Sequence, residues 1–258
     1  MAHTVLERSP AFGGVQKVRS RARKLPIVRS ATKNLLLAGL EVKSRGALLA
    51  ETAPVTLRCG EMLTEVGQRV AQVFFPIDSS ISLSVPAVGQ PPLVIGLVGF
   101  EGMLGMSLIL GTALSGFRGL VQGQGLAWRI DAERFTRELK SNAEWRSTMH
   151  RYVHVRLLQV AHGAACRSSH LVEARLASWL LKSGDRARSD RISLTHEMLG
   201  QLLGVRRAGV TLAASALQDR ALIRYTRGHI LVLDAGGLEA AACPCYAGER
   251  QTYSRYMR

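Results

Sequence analysis

The chain has 258 residues, 47% of them hydrophobic, enough to bury the cores of about two domains. A formal net charge of +15 implies an acidic partner, most simply nucleic acid, whose phosphates Lys and Arg neutralise with release of counterions; a membrane surface would satisfy the charge alone. Four cysteines, Cys59, Cys166, Cys243 and Cys245, are too few and too scattered for a secreted disulfide framework, and the N-terminus lacks the apolar run of a signal peptide, so a reducing cytoplasm is expected.

Residues 1–33 read as a basic, disordered tail: Lys17, Arg19, Arg21, Arg23, Lys24, Arg29 and Lys33 fall within a run that holds no acid between Glu7 and Glu41. A short helical segment from Leu35 to Glu51 leads into PVTLRCGEML, QVFFPIDSSISLSV, PLVIGLVG and FRGLVQGQGLAWRI, short β-type runs punctuated by Gly, Pro, Asp and Ser. Their even spacing predicts a small antiparallel barrel or jelly roll over residues 34–130. Between Ser79 and Phe117 the sole charge is Glu101. Pro86, Pro91, Pro92 and several glycines nonetheless interrupt that stretch, and a spanning helix needs about 20 continuous apolar residues, so no membrane segment is expected.

From Asp131 the pattern turns helical. Asp131 caps a short helix, and the stretch from Asn142 to about Cys166 places Trp145, Met149, Tyr152, Arg156, Gln159 and Gly163 at alternating spacings of four and three. This imperfect heptad predicts a dimer seam built on Trp145, Met149, Tyr152 and Arg156, its rival being the core-facing stripe of a monomer, and makes residues 131–167 a linker and dimerisation helix. Leu171, Leu176, Trp179 and Leu180 open a C-terminal domain over residues 168–246, and Gly184 to Arg191 reads as an exposed charged loop.

The stretch LTHEMLGQLLGVRRAGVTLAASALQDRALI follows. Thr195 is a good N-cap, Glu197 sits in the first turn, and Met198, Leu199, Leu202 and Leu203 give one apolar face until Gly204 stops the helix. After a tight turn, Val210, Ala213, Ala214 and Leu217 face inward while Arg206, Arg207, Thr211, Ser215 and Gln218 stay outside. Two short helices joined by a glycine turn make a helix-turn-helix, with Arg206 and Arg207 at the start of a recognition helix over about 205–218, where such a helix reads base edges in the major groove. Two β-type runs around Arg227-Gly228 complete a winged helix-turn-helix, placing Arg227 and His229 on the wing. Residues 247–258 read as a basic C-terminal tail.

The string ISLTHEMLGQLLGVRRAGVTLAASALQDRALIRYTRGHILVL resembles the C-terminal DNA-binding domain of the Crp/Fnr superfamily of bacterial transcription regulators. Thr195, Leu199, Gly200, Gly204, Arg207, Val210, Leu217, Leu222 and Ile223 fill the family pattern. Upstream, Cys59-Gly60-Glu61 is similar to the family's turn between its first strands, and Gly99-Phe-Glu-Gly-Met-Leu-Gly105 to its Gly-Asp-Phe-Ile-Gly segment, so the resemblance covers about residues 35–245. It implies a two-domain α+β protein with an antiparallel jelly-roll or barrel sensor of the cyclic-nucleotide-binding type, a long dimerisation helix and a winged helix-turn-helix. It further implies a homodimer on double-stranded DNA, contacting it through Thr195, Arg206, Arg207, Thr211, Ser215, Gln218, Arg227 and His229, with RNA polymerase and a small-molecule effector as further partners.

Two departures matter. Cyclic-AMP receptors read bases with an Arg, a Glu and a second Arg; here only Arg207 matches, with Ala208 and Leu212 at the other two positions, so a different operator is expected. The effector pocket, at Gly105, Met106, Ser115, Gly116 and Arg118, is degenerate. Met106 stands where a Glu holds the ribose and Ser115-Gly116 where an Arg-Ser pair holds the phosphate, with Arg118 within reach of a slipped register. A buried phosphate without a cation is costly, so cyclic AMP is not the expected effector. An iron–sulfur cluster is not expected either, because no cysteine precedes Cys59.

Other chemistry finds little support. His150 and His154 are four apart but lack an obvious third ligand, and Cys243-Pro-Cys245 is a lone C-x-C, so neither a metal site nor a cofactor is expected. There is no G-x-S-x-G elbow or Walker-type loop to support an enzyme. A scaffold using the helix-turn-helix for protein contacts and a basic RNA-binding protein stand as alternatives; the arginines of the recognition helix and wing disfavour the first, the lack of an aromatic RNP-like strand the second.

Overall fold

A computed structural model describes residues 33–87 and 89–257; apart from Lys33, the basic tail expected over residues 1–33 lies outside them. Two short helices, α1 (Leu35–Ala38) and α2 (Val42–Ala50), precede seven strands: β1 (Ala53–Leu57), β2 (Met62–Thr64), β3 (Gln72–Pro76), β4 (Ser80–Ala87), β5 (Gln90–Val98), β6 (Arg118–Gly123) and β7 (Gly125–Asp131). The strands form two antiparallel sheets, β1-β7-β3 and β2-β6-β4-β5, so the expected barrel or jelly roll is a pair of open sheets.

Period-two alternation lets the first sheet serve two cores. Phe74 and Ala127 point inward with Leu57 onto Ile81, Val98 and Val121 of the second sheet. Their chain neighbours Val73, Phe75, Trp128 and Ile130 point outward onto helices and bury Leu36, Leu37, Phe135, Trp145, Met149 and Tyr152. Phe75, Phe135 and Trp145 hold their rings 6.0–6.4 Å apart in tilted and edge-on pairs.

Helix α3 (Ala132–Ser141) begins after Asp131, whose side chain makes no capping hydrogen bond. Helix α4 (Ala143–Ser169) is capped by Asn142, whose side-chain oxygen accepts from the Trp145 amide at 3.0 Å. The stripe expected to form a dimer seam is buried inside the chain: Trp145, Met149, Tyr152 and Arg156 are 2, 0, 1 and 4% exposed. Tyr152 Oη donates to the Met103 carbonyl at 3.2 Å and accepts from the Met103 amide at 3.1 Å, and Arg156 donates to the Leu97 carbonyl at 2.8 Å. A Cβ on Gly102 would lie 2.5 Å from Tyr152 Oη, which is why that position is glycine. The alternating spacing therefore marks the face that α4 packs on its own sheet. The exposed face carries Leu157, Val160, Ala161 and Ala164 instead.

Helix α5 (Val172–Ala187) runs through the start of the segment expected as an exposed charged loop. Arg186 is buried there, its side chain 8% exposed, between Glu101 at 2.8 Å and Glu249 at 2.6 Å. Beyond α5 come β8 (Arg191–Ser193), α6 (His196–Leu203), α7 (Arg207–Asp219), β9 (Ile223–Thr226), β10 (His229–Val232), α8 (Ala235–Ala241) and α9 (Cys245–Tyr256). The C-terminal residues 247–256, expected as a tail, belong to α9, which packs on α4 and α5; Tyr246 and Glu249 anchor it to Asp185, Lys182 and Arg186. Among the described residues no helix is long and apolar enough to cross a membrane.

Burial alone would oppose ionisation of Glu249, but Arg186 and Lys182 outweigh it and hold the carboxyl at about 2. Since an unfolded Glu titrates near 4.3, the pairing stabilises fully above that value and is lost as pH falls towards the folded one. Glu249→Gln should thus unfold at lower urea than the wild type at pH of about 6, and the difference should close between about pH 5 and 2. A difference independent of pH would show that the carboxylate charge is not what stabilises.

Candidate nucleic-acid interface

Helix α6 starts where Thr195 Oγ1 accepts from the Met198 amide at 3.2 Å and ends at Gly204, whose φ of 64° is left-handed backbone that side-chain-bearing residues avoid. The chain re-enters a helix at once, with Arg206 at the N-cap of α7. Val210, Ala213, Ala214 and Leu217 of α7 pack with Leu176, Leu180, Leu199 and Leu202, as the apolar spacing predicts. The opposite face shows Arg206, Arg207, Ala208, Thr211, Leu212 and Ser215 to solvent, and Leu212 is 74% exposed.

Among the site residues read from sequence, Thr195, Arg206, Arg207, Thr211, Ser215, Arg227 and His229 are exposed. Thr211 Oγ1 donates to the Arg207 carbonyl at 3.1 Å and lies 3.1 Å from His196 Nδ1. Gln218 differs. It is half-buried, and its Oε1 accepts from the Tyr225 amide at 2.7 Å, so it fastens the end of α7 to the wing.

The wing turns on Arg227 and Gly228 at φ 48° and 84°, two left-handed residues as a tight hairpin of the primed type requires. Strands β8, β10 and β9 pair in that order, and alternation buries Ile192, Ile230 and Ile223 while Arg191, Ser193, Arg224, Thr226 and His229 are exposed. His229 Nδ1 lies 3.2 Å from Ser193 Oγ. Arg191 and Arg224 escaped the sequence reading, although the period-two pattern of Arg191-Ile-Ser and Ile223-Arg-Tyr-Thr carries them.

His196 was also missed. Its ring stacks on Tyr225 with centroids 4.4 Å apart, joining α6 to the wing, and burial first and Arg207 second lower its pKa, favouring the neutral imidazole. Arg220 is paired with Glu173 at 2.9 Å, whereas among the described residues no salt bridge engages Arg206, Arg207, Arg224 or Arg227. The outer face of α7 and the wing therefore presents these four arginines without an acidic partner among the described residues.

In the sensor region Gly105, with φ of 110°, turns the chain into a 3-10 helix over Met106–Leu110, and Met106 packs partly buried against the helical core. Ser115 Oγ donates to the Phe117 carbonyl at 2.7 Å, and Gly116 is exposed. Arg118 directs Nε at both oxygens of Glu65, 2.9 and 3.1 Å away, and that bond holds the Glu65 carboxyl below its usual range. Arg118, the cation expected within reach of the phosphate position, is thus already paired.

A family model described as a Crp-like helix-turn-helix domain matches residues 174–241. Among curated proteins no sequence matches the chain. The fold is similar to that of a Crp/Fnr-family transcriptional regulator from Eubacterium rectale, at 17% identity and a TM-score of 0.63 over 81% of this chain and 98% of the other. It is similar also to FixK2 from Bradyrhizobium japonicum, at 11% identity and 0.62 over 74% and 98%. A third likeness, at 14% identity and 0.59 over 74% and 99%, is to CLP of Xanthomonas campestris, a c-di-GMP-responsive global regulator. The chain thus has the two-domain fold of the Crp/Fnr transcriptional regulators, and its residues 174–241 are a Crp-like helix-turn-helix domain.

Proposed function

We propose that this protein is a homodimeric, sequence-specific DNA-binding transcription regulator, with residues 34–130 as sensor, 131–167 as linker and dimerisation helix, and 168–246 as the DNA-binding domain. The observation that carries this reading is the outer face of α7, where Arg206, Arg207, Thr211, Leu212 and Ser215 stand exposed beside the arginines of the wing. Arg207 opens the helix and reaches a guanine edge with two hydrogen bonds, while Arg206, Arg224 and Arg227 neutralise phosphates. Leu212 is 74% exposed on this face, and against DNA its side chain packs on a thymine methyl group. RNA polymerase and an effector other than cyclic AMP complete the reading.

Two recognition helices about 34 Å apart select a palindrome with half-sites one helical turn apart. Selection of sites from random DNA should return such a palindrome for the wild type, and Arg207→Ala should lose about 1–3 kcal/mol and relax one position per half-site. Leu212→Ala should relax a thymine instead. Identical motifs from all three proteins would remove both residues from base reading.

Dimerisation uses the free face of α4, where Leu157, Val160, Ala161 and Ala164 recur at helical spacing and Leu157 is 66% exposed. In sedimentation runs Leu157→Glu should give folded monomers, because each charge would face its twin out of water. A dimer that survives this change would place the seam elsewhere.

For the effector, titration calorimetry with cyclic AMP should show no saturable heat, since Met106 offers the ribose no carboxylate and Arg118 is held by Glu65. Micromolar binding would overturn this.

A further inference from the structure

The end of α4, the start of α5 and the Cys-Pro-Cys turn ahead of α9 meet at one point, where four side chains with soft donor atoms converge. The sulfurs of Cys166, Cys243 and Cys245 and a ring nitrogen of His170 all lie within 4.8 Å of one another. Cys166 Sγ is 3.6 Å from Cys243 Sγ, and Cys245 Sγ is 3.6 Å from His170 Nδ1. Around a tetrahedral zinc ion, with bonds of about 2.3 Å to sulfur and 2.0–2.1 Å to nitrogen, donor atoms stand about 3.4–3.8 Å apart. The two measured separations are edges of that tetrahedron.

We propose that Cys166, His170, Cys243 and Cys245 form a closed zinc(II) site that fastens the long helix to the C-terminal domain. Three thiolates and one imidazole suit a borderline-soft ion with no geometric preference of its own and leave no open position, which is the pattern of a structural site. A disulfide between Cys166 and Cys243 would account for two of the four groups and leave Cys245 and His170 beside it without a purpose. An iron–sulfur cluster needs its ligands spread around several irons, wider than this set allows.

The surroundings support coordination. Ser178 Oγ lies 3.1 Å from Cys243 Sγ, and the Cys243 amide donates to the Ala174 carbonyl at 3.1 Å, so α5 holds this ligand in place. Arg167 and Lys182 line the same cavity as Cys166 and Cys245. On binding, each thiol releases its proton to solvent, so the three thiolates and one zinc(II) carry a net charge of −1, which Arg167 in the same cavity offsets. Cys166 and His170 are four apart at the end of one helix, and Pro244 fixes the turn between Cys243 and Cys245.

The two ligand pairs bracket residues 174–241, the whole Crp-like helix-turn-helix domain. Zinc would therefore join the two ends of that domain and fix how it hangs from α4. Its effect on DNA affinity rests on the regulator reading above; the site itself does not.

The test is metal analysis of the full-length protein purified under reducing conditions without chelators, followed by cobalt(II) titration of the stripped protein. One zinc per chain is expected, and cobalt should give the intense visible bands of a tetrahedral site with thiolate-to-cobalt charge transfer in the near ultraviolet. Cys166→Ser and Cys245→Ser should each lose the charge-transfer intensity of one thiolate, and Ser178→Ala should bind about 10–100-fold more weakly with an unchanged spectrum. If the serine variants fail to fold, the wild-type titration and Ser178→Ala decide. A reduced wild type that takes up neither zinc nor cobalt overturns the proposal, as does iron or copper in place of zinc, or an unaltered cobalt spectrum in the serine variants. A gel shift on the selected palindrome is scored separately: zinc-loaded protein that binds no DNA defeats the regulator reading alone, and metal-free protein that binds it normally defeats the fastening role of the zinc alone.

Discussion

Arg186 ties three parts of the chain together, and its burial sets the terms for the rest. Its guanidinium reaches Glu101 in the sensor region through Nε and Glu249 of α9 through Nη2, while its own backbone belongs to α5. A charge so placed is tolerable only with its partners in position; removing one member of a buried pair costs about 3–5 kcal/mol. Lys182 supplies the second cation for Glu249, so the group of four is balanced in charge. Glu101 is the one charge between Ser79 and Phe117, and it pairs with Arg186 at this junction.

The same junction solves a second problem. Strand β5 is an edge of the four-stranded sheet, and an open edge invites pairing with another chain. Here its Val94 is buried in the core of the C-terminal domain with Leu199, Leu202 and Leu203, and Arg167 donates to the Val94 carbonyl. Leu93 lies against the turn at Gly204. The helix-turn-helix thus covers the edge of the sensor sheet, and the two cores share a strand.

Local rules made much of this legible. The cap at Thr195, the stop at Gly204 and the inward face of α7 depend on spacings of three and four within one element, and they stand where the sequence puts them. The heptad-like stripe of α4 was legible as a stripe but not in its partner, because an apolar face looks the same whether it meets a twin or the chain's own sheet; only Tyr152 on Met103 decides. Arg186 was misread for a related reason. A polar side chain is taken as exposed unless a distant partner is known, and its partners lie 63 to 85 residues away. The gathering of Cys166 with Cys243 is equally invisible in sequence, since 77 residues separate them.

Helix α4 is where these constraints meet. At 27 residues it is about 40 Å long, one rigid element. Its first half is locked to the sensor core by Trp145, Met149 and Tyr152; its middle reaches β5 through Arg156; its last turn offers Cys166 to the junction with the C-terminal domain. Met103 is tied to the helix on both sides of its residue, because Tyr152 bonds its amide and its carbonyl and packs closely on the neighbouring Gly102. One helix of 27 residues accordingly carries three faces of different chemistry, one packed on the first sheet, one open to solvent at Leu157 and one joined to the C-terminal helices.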